Sequence, residues 1–173
     1  MSYVKKELVF TKEQIAERIQ SLASQISHDY ADKELILVGI LKGVFTFMAD
    51  LVRKMSIPVK IDFVRIASYG SKTQPSEIRL VKDIELSIKG SNVLIIEDII
   101  DTGLTLDYLK KSLETKRPAS IKICALIDKS ERREIPINID YVGFKLDNGF
   151  MVGYGLDFDE RFRELPQIYR LIF

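Results

Sequence analysis

The chain has one cysteine and one histidine in 173 residues, and its charge is almost balanced. A lone Cys124 allows neither an intrachain disulfide nor a cysteine-based zinc site, so a reducing cytoplasm is the expected compartment. Its place in the strand-like run Ile121–Ile127 marks it as a buried thiol rather than a nucleophile. His28, near the end of a helical pattern, is read as a surface residue and not as a base. Lys and Arg number 26 against 25 Asp and Glu, so no bulk positive field draws nucleic acid to the chain. No apolar run approaches the ~20 residues of a membrane span. The start, Met1-Ser-Tyr-Val-Lys-Lys-Glu7, has no apolar core of the signal-peptide kind. Repeats, low-complexity tracts and Pro/Gly/Ser linkers are also lacking, and one domain over 1–173 is expected.

With hydrophobic residues at 46%, the chain has ample material for a core. Thr11-Lys-Glu-Gln14 has the form of a capping box. Ile15, Ile19, Leu22, Ile26 and Tyr30 then recur at helical spacing, predicting an amphipathic helix over about 12–30. Continuous apolar runs at 34–40, 92–97 and 119–128, with a further strand opening after Pro58, alternate with helical stretches ending near Met55 and over 104–116. Apolar strands of this kind indicate an α/β fold: a central, mostly parallel sheet with helices on both faces. Ligands of such folds bind beyond the carboxyl ends of the strands. The polar segment 68–77, Ser-Tyr-Gly-Ser-Lys-Thr-Gln-Pro-Ser-Glu, is expected to be a long loop and a candidate lid.

The chemistry concentrates in Val93-Leu-Ile-Ile-Glu-Asp-Ile-Ile-Asp-Thr-Gly-Leu-Thr-Leu106. A buried strand brings Glu97 and Asp98 to the sheet edge, and Asp101 follows beyond Ile99 and Ile100. Thr102-Gly103-Leu104-Thr105 then opens a helix, where backbone N–H groups, two hydroxyls and the helix dipole form an anion cradle. Acids beside such a cradle suit sugar hydroxyls or a magnesium ion carried by the ligand. Taken singly, these features are ordinary helix caps and solvated charges. Their joint spacing resembles the phosphoribosyl-pyrophosphate-binding motif of the type I phosphoribosyltransferases.

Other segments resemble the hypoxanthine-guanine branch of that family, in the same order and over nearly the whole chain. They are Leu41-Lys-Gly43, Ser68-Tyr69, Leu126-Ile-Asp-Lys129, Phe150-Met-Val-Gly-Tyr-Gly-Leu-Asp157 and Arg161-Phe-Arg163. The resemblance implies a small hood from the chain termini, mainly about 130–173 and the N-terminal segment. It makes Asp101 the general base at N7 of the purine, and has Glu97 and Asp98 hold the ribose hydroxyls directly or through magnesium. Residues 102–105 would bind the 5-phosphate. Lys42 and Gly43, behind a cis Leu41–Lys42 peptide, would meet pyrophosphate together with Arg163, for which an ion pair with Glu160 or Glu164 is the competing reading. Lys129 would read the 6-oxo group, Phe150 would stack on the purine, and Met151 and Asp157 would meet its edge, Asp157 also reaching a second magnesium. Ser68 and Tyr69 would belong to the mobile catalytic loop.

Gly149, Met151 and Phe158 depart from the family's usual residues, and the first two leave the ranking of hypoxanthine, guanine and xanthine open. The expected partners are phosphoribosyl pyrophosphate and a 6-oxopurine, with a homodimer or homotetramer as the assembly. Two alternatives stand beside this reading: the same fold acting on another base, and a regulator that binds nucleic acid. Lys129 and the aromatic hood weigh against the first, and the net charge of +1 against the second.

Overall fold

The computed structural model describes residues 5–69 and 77–173, with the backbone alone for Ser68, Tyr69 and Glu77. Its elements in chain order are β1 (Lys5–Phe10), α1 (Lys12–Asp29), β2 (Leu35–Leu41), α2 (Phe45–Lys54), β3 (Lys60–Tyr69) and β4 (Glu77–Lys82). There follow β5 (Asn92–Ile100), α3 (Leu104–Glu114), β6 (Ser120–Lys129), β7 (Tyr141–Leu146), β8 (Phe150–Val152) and β9 (Ile168–Ile172).

Helix α1 begins where its sequence predicts. The Gln14 N–H donates to the Thr11 hydroxyl, and the Thr11 N–H donates to Gln14 Oε1 at 2.9 Å, closing the capping box. Ile15, Ile19, Leu22 and Ile26 are all buried, as the helical spacing requires.

Six strands form the central sheet in the order β4-β3-β2-β5-β6-β7. All neighbours run parallel except β3 and β4. Successive residues of a strand face opposite ways, and here both faces are covered. Leu35, Leu37, Leu94 and Ile96 pack with the apolar sides of α1 and α2. Ile36, Val38, Val93 and Ile95 pack instead with Leu106, Leu109 and Leu113 of α3. Each such fully buried side chain is worth roughly 1.5–3 kcal/mol, which is why these strands read as unbroken apolar runs. The expected fold class is the observed one.

Two details differ from the expectation. Strand β4 was not foreseen; its pairs Ser68↔Ile78 and Tyr69↔Glu77 turn the two ends of the expected loop into strand. The middle of the candidate lid, residues 70–76, lies outside the described residues. Tyr141–Leu146 belongs to the central sheet, in parallel register with Cys124–Lys129, although this range was assigned to the hood. Its partly apolar sequence closes the open side of β6. The separate terminal layer is a three-stranded antiparallel sheet, β1-β9-β8, joining both ends of the described chain through pairs such as Lys5↔Ile172 and Phe150↔Leu171.

Candidate active site

The carboxyl end of β5 carries the acidic motif, but the strand runs on through Glu97 and Asp98 to Ile100. Both acids are therefore built into the sheet and only 8% exposed. Residues 97 and 98 alternate along the strand and line different spaces. Glu97 borders a cavity of about 150 Å³ with Ile40, Ile99, Ile100 and the Asp101–Thr105 turn, without Leu104. Asp98 borders a second cavity of about 210 Å³ with Asp101, Lys129, Phe150, Met151 and Asp157. Glu97 and Asp98, expected to hold the ribose hydroxyls directly or through magnesium, thus border different cavities, and Asp157, expected at a second magnesium, borders that of Asp98. No group of three His, Cys, Asp or Glu side chains poised for a metal occurs among the described residues.

Burial, with the neighbouring Asp98 charge adding to it, holds the Glu97 carboxyl well above its ordinary value of 4.5. With the folded value raised, any stability Glu97 confers is present below pH 4.5 and is lost as the pH rises through the raised value. Glu97→Gln should therefore raise the melting temperature of the ligand-free protein by about 2–4 °C near neutral pH, with no gain near pH 4. A lower melting temperature at both pH values would show that partners stabilise the Glu97 charge.

The Asp101–Thr105 turn forms one wall of the first cavity. Gly103 sits there with φ 87°, a left-handed conformation that glycine adopts without cost. It precedes α3, whose first N–H, that of Leu104, donates to the Thr102 hydroxyl at 3.4 Å. The next N–H groups of the first turn have no intrahelical partner and suit an anion. The Thr102 carbonyl accepts from the Glu134 and Ile135 N–H groups at 2.9 and 3.2 Å, which pins the turn to the segment after β6.

Asp101 borders both cavities. Its Oδ2 pairs with Lys129 Nζ at 3.3 Å and with the Arg132 guanidinium, while its buried Oδ1 has no hydrogen-bond partner. Lys129, the last residue of β6, is 5% exposed and also donates to the Gly149 carbonyl at 3.3 Å. Phe150 is 39% exposed and stands edge-on to Phe158 and Phe173, leaving an aromatic surface over a polar cavity. A side chain at Gly149 would meet the Arg170 side chain, whose Nε lies 2.7 Å from the Cβ position. An arginine from β9 thus occupies the space beside this departure from the family pattern.

Arg132 and Arg133 were missed by the sequence reading. Arg133 donates to the Ile100, Asp101 and Lys129 carbonyls and to Asp128 Oδ1 at 2.6–3.3 Å, tying the ends of β5 and β6 together. Their position directly after the base-recognition segment is the one signal available in the sequence.

Across the second cavity, the Leu41–Lys42 peptide is cis, as the resemblance implies. Gly43 lies against Asp98 so closely that a Cβ would stand 1.8 Å from Asp98 Oδ2, and only glycine fits. Lys42 Nζ lies 2.9 Å from Glu160 Oε2. Arg163 pairs with Asp157 at 2.8 Å and with the same Glu160 oxygen at 3.3 Å. The competing ion pair with Glu160 therefore forms, and it joins Arg163 to Lys42. A larger cavity of about 490 Å³, lined by Phe45, Thr46, Asp50, Tyr154 and others, reaches Arg163 but none of the β5 acids. Cys124 is buried, with its thiol pushed up by that burial, and His28 is exposed.

A parallel sheet whose strand ends carry an anion cradle, beside a cavity with an acid, a lysine and an aromatic ring, defines a nucleotide-handling α/β domain. The chain belongs to the phosphoribosyltransferase family: the model of the phosphoribosyl transferase domain matches residues 8–159. It is 46% identical over 171 residues to the hypoxanthine-guanine phosphoribosyltransferase of Dictyostelium discoideum, spanning 96% of this chain and 95% of that protein. A solved hypoxanthine-guanine phosphoribosyltransferase from Bacillus anthracis superposes with a TM-score of 0.91 at 41% identity, covering 96% of this chain and 98% of that one. The hypoxanthine phosphoribosyltransferase of Trypanosoma cruzi, solved as a ternary substrates complex of a mutant, gives 0.90 at 40% identity, with 98% and 96% covered. The fold is that of the type I phosphoribosyltransferases. No helix among the described residues is long and apolar enough to cross a membrane.

Proposed function

We propose that this enzyme acts in purine salvage, transferring the 5-phosphoribosyl group of phosphoribosyl pyrophosphate to N9 of hypoxanthine or guanine. The products are IMP or GMP and pyrophosphate. The observation that carries this reading is the position of Asp101, which borders both cavities and keeps one carboxylate oxygen unpartnered. A proton acceptor between a phosphoribosyl site and a base site is what the reaction needs.

In this reading the turn 102–105 holds the 5-phosphate through backbone N–H groups and the Thr102 and Thr105 hydroxyls. Gly103 supplies the turn, and Leu104 takes no part. Glu97 and Asp98 hold the ribose hydroxyls. Lys42, the Gly43 backbone and Arg163 meet the pyrophosphate, the arginine through its planar fork. Purine N9 forms a bond to the anomeric carbon as the bond to pyrophosphate breaks, and the N7 proton passes to Asp101. Lys129 donates to the 6-oxo oxygen, Phe150 covers the ring face, and the Met151 backbone meets its edge.

Magnesium would enter with phosphoribosyl pyrophosphate and offset charge on the leaving group. Asp98 and Asp157, which share the second cavity, are suited to it, because magnesium usually takes only one or two protein carboxylates beside substrate phosphates. Ser68 and Tyr69 at the end of β3 remain the candidate root of a lid. A homodimer or homotetramer working in the cytoplasm completes the reading.

The test is a spectrophotometric assay of hypoxanthine, guanine, xanthine and adenine with phosphoribosyl pyrophosphate and magnesium. Hypoxanthine and guanine should turn over and adenine should not. Preferred use of adenine, or no consumption of any of the four, would overturn the assignment.

A further inference from the structure

The contact between the hood and the pyrophosphate loop has a chemical consequence. Lys42 Nζ and Arg163 Nη2 converge on one oxygen, Glu160 Oε2, at 2.9 and 3.3 Å. They come from distant parts of the chain, and the carboxylate fills the anion position between them. The turn that presents it is unusual. Asp159 and Glu160 both have left-handed backbones, with φ 54° and 59°, and neither is glycine. Conformations of that kind carry a cost, and they gather where function needs them. The Glu160 N–H is also held by Asp157 Oδ2 at 3.0 Å, which fixes the turn. The side chain itself is 65% exposed, so it can swing into water without breaking any packing.

We propose that Glu160 is an internal stand-in for pyrophosphate: it occupies the two cations when the site is empty and is displaced when the phosphate chain arrives. The proposal rests on the reading of Lys42 and Arg163 as pyrophosphate ligands. A carboxylate bears one negative charge and pyrophosphate several, so the ligand wins the exchange. The exchange still lowers its net affinity, because the ion pair must be broken first. Glu160 thereby keeps the cations paired between turnovers and favours departure of the product.

Calorimetric titration of inorganic pyrophosphate, with and without magnesium, into the parent, Glu160→Gln and Lys42→Met tests the proposal. Glu160→Gln should bind pyrophosphate about three- to tenfold more tightly, the scale of one or two exposed ion pairs. Lys42→Met should bind it more weakly. Should Lys42→Met weaken binding while Glu160→Gln leaves it unchanged, the ligand reading stands and the stand-in role fails. Weaker binding by Glu160→Gln only with magnesium would make Glu160 a metal ligand instead, and that too overturns the proposal. Unchanged binding by Lys42→Met would remove Lys42 from the pyrophosphate site, and the stand-in role with it.

Discussion

Asp101→Asn should lower turnover by roughly 10² or more while leaving the affinity for phosphoribosyl pyrophosphate within about twofold of the parent. The substitution keeps the shape of the side chain and its ability to accept from Arg132 and Lys129. What it removes is the capacity to take a proton, the role proposed for Asp101, whose buried Oδ1 has no hydrogen-bond partner. In the proposed function phosphoribosyl pyrophosphate is held mainly by the turn after Asp101 and by the cations across the site, so its binding should survive. The change does leave Lys129, 5% exposed, without its anionic partner, and a melting curve must show that the variant is folded. A folded variant with near-normal turnover would remove Asp101 as the base. Loss of phosphoribosyl pyrophosphate affinity equal to the loss of turnover would make it a binding residue.

The parts of the fold visible in the sequence are those where one local pattern decides the outcome. Both faces of β2, β5 and β6 are covered, so their apolar runs need no register argument to be recognised as strands. The capping box at Thr11 and the glycine at 103 act within a few residues and read equally well. Strands β1, β4, β7, β8 and β9 are not legible in the sequence because they are short or lie at edges, with partners that decide their identity from far along the chain. Phe150, for example, finds its neighbour at Leu171.

The site divides in the same way. The stretch from Glu97 to Thr105 is contiguous and could be recognised from spacing alone. Which cavity each acid borders depends on which way it faces: Glu97 borders one and Asp98 and Asp157 the other, although the Glu97 and Asp98 side chains still touch. The contacts of Asp101 with Arg132 and of Lys42 with Glu160 join residues 31 and 118 positions apart. No local pattern signals such a pair.

Lys129→Gln is the second substitution with a large expected effect, because in the proposed function Lys129 serves the base and the acid at once. It ends β6 almost fully buried, and its ammonium reaches the Gly149 carbonyl and Asp101 Oδ2, each at 3.3 Å. An ammonium has three protons to donate and accepts none, so one donor remains for an oxygen in the cavity. The 6-oxo group of hypoxanthine or guanine meets that need, whereas the amino group of adenine opposes donor to donor. Glutamine keeps a donor but loses the charge and shortens the reach. The expected loss in kcat/KM for both oxopurines is about 1.5–3 kcal/mol, the scale of a hydrogen bond to a charged group. Asp101 would retain Arg132, so the loss should fall short of removing the base itself. Affinity for phosphoribosyl pyrophosphate should change little, since the proposed function places that ligand on the other side of Asp101. Discrimination against adenine should narrow, because a rotated amide can turn its oxygen toward the amino group. Steady-state kinetics on the three bases measure both effects. If hypoxanthine and guanine kinetics stayed within about twofold of the parent, Lys129 would be only the buried counter-ion of Asp101, and the choice of base would have to lie elsewhere in the cavity.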